Sequence, residues 1–191
     1  MNITSFLVYC FVVTFTPGPT NIVILSTVHN FGTRKAMNYT YGATFAFGVL
    51  LVVSAMLNTI LLSIIPRILI VMKLIGSFYM FYLAFQIYKM GSSKPTGNQT
   101  ATFMSGFLMQ FLNPKVVLFT MTVIPSFILP YYISKFAVAL SVLSITLIGF
   151  LAFLTWVLFG TIFKAFLHKH NKPVNIMMAL FLVCSATMIW L

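Results

Sequence analysis

Six apolar stretches, each long enough to cross a bilayer as a helix, occupy nearly all of this 191-residue chain. A bilayer-spanning helix needs about 20 predominantly apolar residues. By that measure the sequence predicts spans at about 4–29, 40–65, 68–88, 103–129, 134–163 and 174–191. Only 6% of the residues are charged, against about a quarter in a soluble domain, so too few charges are present for a water-facing surface. The sequence therefore predicts an all-α, multi-pass membrane protein.

The chain contains 11 lysine and arginine residues and no aspartate or glutamate. This composition excludes catalysis by paired carboxylates, a Ser-His-Asp triad, Walker-type ATP hydrolysis and a calcium site built from carboxylates. The net charge of +11 does not indicate nucleic-acid binding, because the basic residues stand singly between apolar stretches rather than together on a polar face. We therefore expect no enzyme, no metal site, no organic cofactor and no nucleic-acid partner.

A polar segment near the midpoint, at about 91–102, has the Gly, Ser, Pro and Asn content of a connecting loop. It divides a single transmembrane domain, residues 1–191, into one repeat at about 1–90 and a second at about 103–191. Each repeat contains three of the predicted spans. Because three is odd, the second repeat must cross the membrane in the opposite sense to the first. The pattern predicts six transmembrane helices arranged as two inverted three-helix repeats.

Basic residues in short loops favour the cytoplasmic side of a membrane. Loops one, three and five contain seven of them: Arg34, Lys35, Lys89, Lys94, Lys164, Lys169 and Lys172. Loops two and four contain or border three: Arg67, Lys73 and Lys135. This bias predicts that both termini lie outside. We expect the loop cations to meet lipid phosphates, since the chain offers no acidic partner.

The first predicted span is interrupted at its middle by Thr16-Pro17-Gly18-Pro19-Thr20-Asn21. Two prolines remove two amide donors, so the helix should kink or break and free carbonyls from the stretch before it. Pro19 suits the first turn of a second half-helix, whose amino end would present N–H groups and a positive dipole end. The segment is either a purely structural kink or part of a site that attracts an anion.

The fourth predicted span has a second interruption, Gln110-Phe111-Leu112-Asn113-Pro114-Lys115. Pro114 again releases backbone acceptors, and Gln110 and Asn113 place amides about one turn apart. Lys115 puts a cation near the bilayer centre, where no carboxylate of this chain can pair with it. A transported carboxylate would fill that role. Alternatively, Lys115 faces a water-filled crevice or bonds to the carbonyls released around Pro114.

The two interruptions hold corresponding positions in the two repeats, since Pro17 and Pro114 are 97 residues apart and each lies in a first span. Paired interrupted helices of this kind point to the central site of a secondary transporter. Gly48 and Gly149 hold comparable positions in the second and fifth spans. The spacing Gly42 to Ala46 permits a close helix pair and leaves a homo-oligomer open.

The string TPGPTNIVILSTVHNFGTRKA, with the Gly42 and Gly48 spacing, resembles the amino-terminal signature of the lysine exporter and homoserine/threonine exporter (LysE/RhtB) family. FMSGFLMQFLNPKVVLF resembles its second signature, and the similarity extends over essentially the whole chain. The closing VNIMMALFLVCSATMIWL and the segment from Val123 to Pro130 are similar to the cysteine and O-acetylserine exporter branch. The resemblance implies export of amino acids or close metabolites across the bacterial cytoplasmic membrane without ATP hydrolysis.

The family signatures, carried across residue by residue, identify nine candidate substrate-binding residues: Thr16, Pro17, Gly18, Pro19, Asn21, Gln110, Asn113, Pro114 and Lys115. The sequence departs from the family at Thr20, where many members have asparagine, and in its lack of acidic residues. A carboxylate proton relay is therefore excluded. If export is coupled to protons, the titrating group is His29, Lys115, a water chain or the amino group of the substrate.

The absence of acidic residues favours a neutral, zwitterionic amino acid over a cationic one. We expect export by alternating access, with the substrate carboxylate on Lys115 and on N–H groups after Pro19, and the ammonium on freed carbonyls and amide oxygens. A passive channel and a non-transporting membrane subunit remain alternatives. His29, which ends the first span beside Asn30, is expected to be an interfacial histidine.

Overall fold

The computed structural model describes residues 2–90, 102–132, 134–188 and 190, without the side chains of residues 58–69, 72 and 90. Within these ranges the chain forms helices and no β-strand. The loop predicted at 91–102 falls outside the described residues, apart from Thr102. The all-helical prediction is confirmed for the part of the chain that the structure describes.

In the first half of the chain, residues 2–90 form three helices. Helix α1 runs over Ile3–Phe15, α2 over Pro19–Phe31 and α3 over Thr33–Met90. Between α2 and α3 the chain turns at Gly32, whose positive φ of 87° is rarely adopted by residues with a side chain. Helix α3 consists of two helical parts that meet in a kink at Leu57, a residue with non-helical φ and ψ.

The described residues of the second half form five helices and a π-helical turn. Helix α4 runs over Phe103–Leu112 and α5 over Pro114–Val123, which continues into the π-helical turn Ile124–Ile128. Helix α6 runs over Lys135–Ile162, the short α7 over Lys164–Lys169 and α8 over Asn171–Met188.

The boundary predicted between the second and third spans, at residues 66–67, differs from the observed one. The backbone stays helical there, and the kink lies at Leu57. Proline removes one amide donor, which bends a helix without always ending it, and the helical backbone continues through Pro66.

Two of the described helices are long and apolar enough to cross a membrane on their own, Thr33–Leu57 and Lys135–Ile162. Two bent pairs meet the same criterion when each is taken as one span: Ile3–Phe15 with Pro19–Phe31, and Phe103–Leu112 with Pro114–Ile128. The structure thus contains up to four candidate spans among the described residues. The predicted spans at 68–88 and 174–191 fall mainly in the second part of α3 and in α8, and their crossing of the membrane stays a prediction.

Helices α3 and α4 cross closely at two glycines. A Cβ at Gly42 would collide with the backbone carbonyl of Phe103, and a Cβ at Gly106 would collide with the carbonyl of Tyr39. Small residues allow membrane helices to approach to backbone contact. The close helix pair predicted for Gly42 and Ala46 therefore has α4 of the same chain as its partner, and both residues face the protein interior.

Helix α6 shows how the outside of the molecule is built. Its surface carries exposed leucines at 140, 143, 147, 151 and 158, whereas its buried residues include Gly149 and Phe153. An apolar exterior of this extent is unfavourable in water and suits contact with lipid chains. The arrangement places Gly149 and Phe153 beside the two helix breaks described below.

Candidate functional site

The first break separates α1 from α2 and bends the pair by 47°. Thr16 ends α1 and Gly18 precedes α2, both with extended backbone, and Pro19 takes the first helical position. The carbonyls at the end of α1 consequently lose their helical partners. Asn21 supplies a donor to two of these carbonyls: its Nδ2 donates to the carbonyl oxygens of Thr16 at 2.9 Å and Thr14 at 3.3 Å.

The second break separates α4 from α5 and bends the pair by 68°. Asn113 lies between the helices, and Pro114 takes the first position of α5. The Oδ1 atom of Asn113 accepts from the backbone N–H of Lys115 at 3.1 Å and so caps α5. Gly18 supplies no side-chain cap to α2, so the amino end of α2 lacks the side-chain acceptor that α5 has.

Lys115 connects the two breaks. Its Nζ donates to the hydroxyl of Thr16 at 2.9 Å and to the carbonyl oxygens of Thr16 at 3.1 Å and Pro17 at 3.5 Å. The ammonium therefore lies at the negative end of the α1 dipole, where a cation is stabilised. The acceptors are carbonyls of the first break, 98 and 99 residues away, rather than those around Pro114 that the sequence suggested as an alternative.

Thr20 joins the breaks a second time. Its Oγ1 accepts from Nε2 of Gln110 at 3.2 Å and from Nδ2 of Asn113 at 3.1 Å. All three side chains are buried, at 3% exposure or less. Sequence reasoning treated Thr20 only as a departure from the family pattern, although its position between Pro19 and Asn21 was a signal that it belongs to the site.

Two amide oxygens at the site are buried and unpaired among the described residues, Oδ1 of Asn21 and Oε1 of Gln110. The nitrogen ends of both amides are already committed, to carbonyls of the first break and to Thr20 respectively. A buried acceptor without a partner costs free energy. These two oxygens are consequently available to a ligand that donates hydrogen bonds, such as an ammonium group.

A cavity of about 30 Å³ lies between the breaks. Its polar lining comes from both halves of the chain: Thr14, Gly18, Thr20, Asn21, Asn113 and Lys115. That volume accommodates about two water molecules, since one needs roughly 10–15 Å³. An amino acid would require the cavity to widen.

The opposite wall of the cavity is aromatic, formed by Phe47, Phe119 and Phe153, with Gly149 beside them. The rings of Phe47 and Phe119 stack with centroids 5.9 Å apart. A Cβ at Gly149 would press on the ring of Phe47, so Gly149 makes room for that ring. The aromatic wall and the indole of Trp156, whose Nε1 donates to the carbonyl of Phe15 at 3.3 Å, carried no recognisable signal in the sequence.

The nine residues predicted to form the site therefore lie around one pair of breaks. Thr16, Pro17, Gly18, Pro19 and Asn21 belong to the first break, and Gln110, Asn113, Pro114 and Lys115 to the second. A Cβ at Gly18 would lie 3.3 Å from both Cδ and Nζ of Lys115, which shows how closely the segments approach. Their role in substrate binding stays a prediction.

A family model described as LysE type translocator matches residues 11–191. The chain belongs to the LysE type translocator family. This membership confirms the family resemblance of the two signatures and the prediction that the protein is a transporter and not an enzyme. With its apolar helices, this LysE-family member is a multi-pass membrane protein.

Curated relatives cover nearly the whole of this translocator chain. It is 33% identical to a protein of Klebsiella pneumoniae subsp. pneumoniae named cysteine/O-acetylserine efflux protein, over 98% of this chain and 96% of that one. A protein of the same name from Escherichia coli is 29% identical, over 98% of this chain and 97% of that one. A third, from Salmonella typhimurium, is also 29% identical, over 100% and 98%. No solved structure gives a significant match.

Proposed function

We propose that this protein is a secondary exporter of a small neutral amino acid, of the cysteine/O-acetylserine type, working by alternating access across the bacterial cytoplasmic membrane. Family membership and the names of the relatives support amino-acid export as the activity. The observation that carries the proposal is the bridge between the two breaks, in which Lys115 from the second half donates to Thr16 of the first.

The substrate carboxylate binds beside the uncapped amino end of α2, where Lys115 supplies the positive charge. Gly18 precedes this helix and lies against the Lys115 side chain. A helix amino end and an ammonium both stabilise an anion. Binding draws the Lys115 ammonium from the carbonyls of Thr16 and Pro17 towards the carboxylate.

The substrate ammonium binds to oxygens that become available when the Lys115 ammonium moves to the carboxylate. These are the carbonyls of Thr16 and Pro17 together with the unpaired amide oxygens of Asn21 and Gln110. All of these acceptors are neutral. The site thus provides partners for one negative charge, at Lys115, and for one positive charge, at these oxygens. A second positive charge on the substrate would find no carboxylate in this chain, which disfavours lysine or arginine as the cargo.

The size of the cavity and the two breaks support alternating access. The cavity must widen to admit an amino acid, and segments of extended backbone between half-helices can absorb such a change. We place the six helices in two inverted repeats, with both termini outside. The oligomeric state and the coupling ion are left open.

Uphill transport distinguishes an exporter from the alternative function, which is a passive channel with the same kinked helices. We would expose inverted membrane vesicles containing the protein to cysteine or O-acetylserine and impose a proton gradient in one experiment and a sodium gradient in another. An exporter concentrates the substrate inside above the external level, whereas a channel only equalises the two. Equal concentrations, with transport still accelerated, would replace the exporter by a channel.

Lys115→Ala is the companion variant in that assay. We expect it to lose export while its level in the membrane stays the same. Lys135→Ala, which removes an exposed lysine at the start of α6, is the matched control and should export normally. Unchanged export by Lys115→Ala would remove the proposed role of the bridge.

A further inference from the structure

A second polar cluster, buried except at Asn171 and partly at Asn30, lies apart from the helix breaks, where the carboxyl end of α2 meets α8. We call it the amide–imidazole cluster, and it consists of Ser26, His29, Asn30, Asn171 and Asn175. Asn175 is fully buried and His29 is 2% exposed. The His29 side chain is therefore packed inside the protein, and its expected position at the membrane interface stays a prediction.

Hydrogen bonds across the cluster join the two halves of the chain. Nε2 of His29 lies 2.8 Å from Oδ1 of Asn171. The amides of Asn30 and Asn175 face each other, with Nδ2 of Asn30 donating to Oδ1 of Asn175 at 3.0 Å and a longer return contact of 3.5 Å. Nδ2 of Asn175 also donates to Oδ1 of Asn171 at 2.8 Å. His29 and Asn30 of α2 thus each hydrogen-bond a side chain of α8.

The cluster lies at the end of the helix whose beginning forms the candidate site. From Asn21 to Asn30, α2 rises about 14 Å, at 1.5 Å per residue. On the other side of the break, along α1, Tyr9 stacks on Phe119 and Phe127 with ring centroids 5.4 and 5.5 Å away, and its hydroxyl lies 2.7 Å from that of Thr122. Aromatic stacking is thus prominent at this end, whereas hydrogen bonds between amides and an imidazole are prominent at the other.

Amide and imidazole groups that pair with each other when the helices are together can pair with water when the helices part. Such a contact opens at less cost than an apolar one of the same size, because hydrogen bonds to water replace those that are lost. Nδ1 of His29 is buried and unpaired among the described residues, and it gains a partner on hydration. The side chain of His168 lies beside the cluster at the protein surface: it is exposed, and its ring centroid is 5.0 Å from that of His29.

We propose that the amide–imidazole cluster is the gate on the membrane face that carries α7, opening by separation of α2 from α8 to connect the site with water on that face. The inference rests on the proposed alternating-access export. In the orientation given by the loop charges, this face is cytoplasmic and the gate is the entrance for substrate.

Reversible cross-linking tests the gate. Asn30→Cys and Asn175→Cys are combined in a chain that also carries Cys10→Ala and Cys184→Ala, and the introduced thiols are joined by a short bifunctional thiol reagent. We expect cross-linking to reduce export at least about tenfold and reduction to restore it. The control pair Met177→Cys with Phe181→Cys joins two exposed positions of α8 outside the cluster and should leave export unchanged. Full export by the cross-linked Asn30→Cys/Asn175→Cys protein overturns the gate.

Accessibility gives a second measurement that does not depend on export by the cysteine pair. In inverted vesicles, a membrane-impermeant maleimide should alkylate Asn175→Cys, because opening exposes that position to water. Ala186→Cys, at another fully buried position of α8, should stay unreacted. Equal protection of both positions overturns the gate. Loss of uphill transport in the unsubstituted protein would instead remove the proposed exporter function.

Discussion

Thr20 holds the two helix breaks together through a single oxygen atom. Valine has a similar shape and lacks the hydroxyl, so Thr20→Val leaves the amide nitrogens of Gln110 and Asn113 buried without this acceptor. Unpaired buried polar groups cost about 1–3 kcal/mol each. We expect Thr20→Val to lower the free energy of unfolding by about 2 kcal/mol, measured as reduced thermal stability in detergent.

Thr20→Ser is the control, since it retains the oxygen and removes only a methyl group. It should unfold closer to the unsubstituted protein than to Thr20→Val. If both variants unfold at the same temperature, the two hydrogen bonds to Thr20 contribute nothing measurable, and its place at the centre of the site would need another explanation.

The pairing of Lys115 shows what a sequence can and cannot reveal about a residue. An ammonium in an apolar helix without any acidic partner predicts a functional cation, and that prediction used composition alone. Its acceptors on Thr16 and Pro17 depend on how two distant segments pack, which no local pattern records. The same limit applies to His29, whose burial against α8 could not be read from its position beside Asn30.

At the scale of helices, the approach of α3 to α4 depends on the absence of side chains at the crossing. Gly106→Ala would place a Cβ against the carbonyl of Tyr39, where backbone on both sides resists movement. Overpacking of this kind typically costs about 1–3 kcal/mol. We expect Gly106→Ala to lower thermal stability in detergent by an amount within that range.

Gly48→Ala offers a matched comparison on α3. A Cβ there would lie 3.4 Å from the Thr146 side chain, which is close to ordinary contact. We expect Gly48→Ala to unfold near the temperature of the unsubstituted protein. Equal stability of Gly106→Ala and Gly48→Ala would contradict the close crossing of α3 and α4.

The helix breaks were predictable because their cause is local. Proline removes an amide donor wherever it stands, and two prolines around Gly18, or one after Asn113, leave few ways to continue a helix. Pro66 shows the limit of the same rule, since the backbone remains helical around it and the kink lies at Leu57.

At the scale of the whole molecule, the loop charges predict that both termini are outside. Alkaline phosphatase is active only after export, so a fusion after Leu191 should be active, and a fluorescent protein that folds only in the cytoplasm should be dark there. A fusion within 164–172 should give the opposite pair of signals. Reversed signals at both positions would invert the orientation and place the proposed gate on the outer face.

In the proposed function, Lys115 binds the carboxylate of the substrate. Cysteine and cysteamine share the thiol and the amine and differ only in that carboxylate, so their relative affinities for purified protein, measured by ligand-induced thermal stabilisation, isolate it. We predict that the unsubstituted protein and Lys135→Ala prefer cysteine by about tenfold or more, equivalent to about 1.4 kcal/mol. Lys115→Ala should lose most of this preference. If Lys115→Ala preferred cysteine over cysteamine as strongly as the unsubstituted protein does, Lys115 would not be the residue that binds the carboxylate.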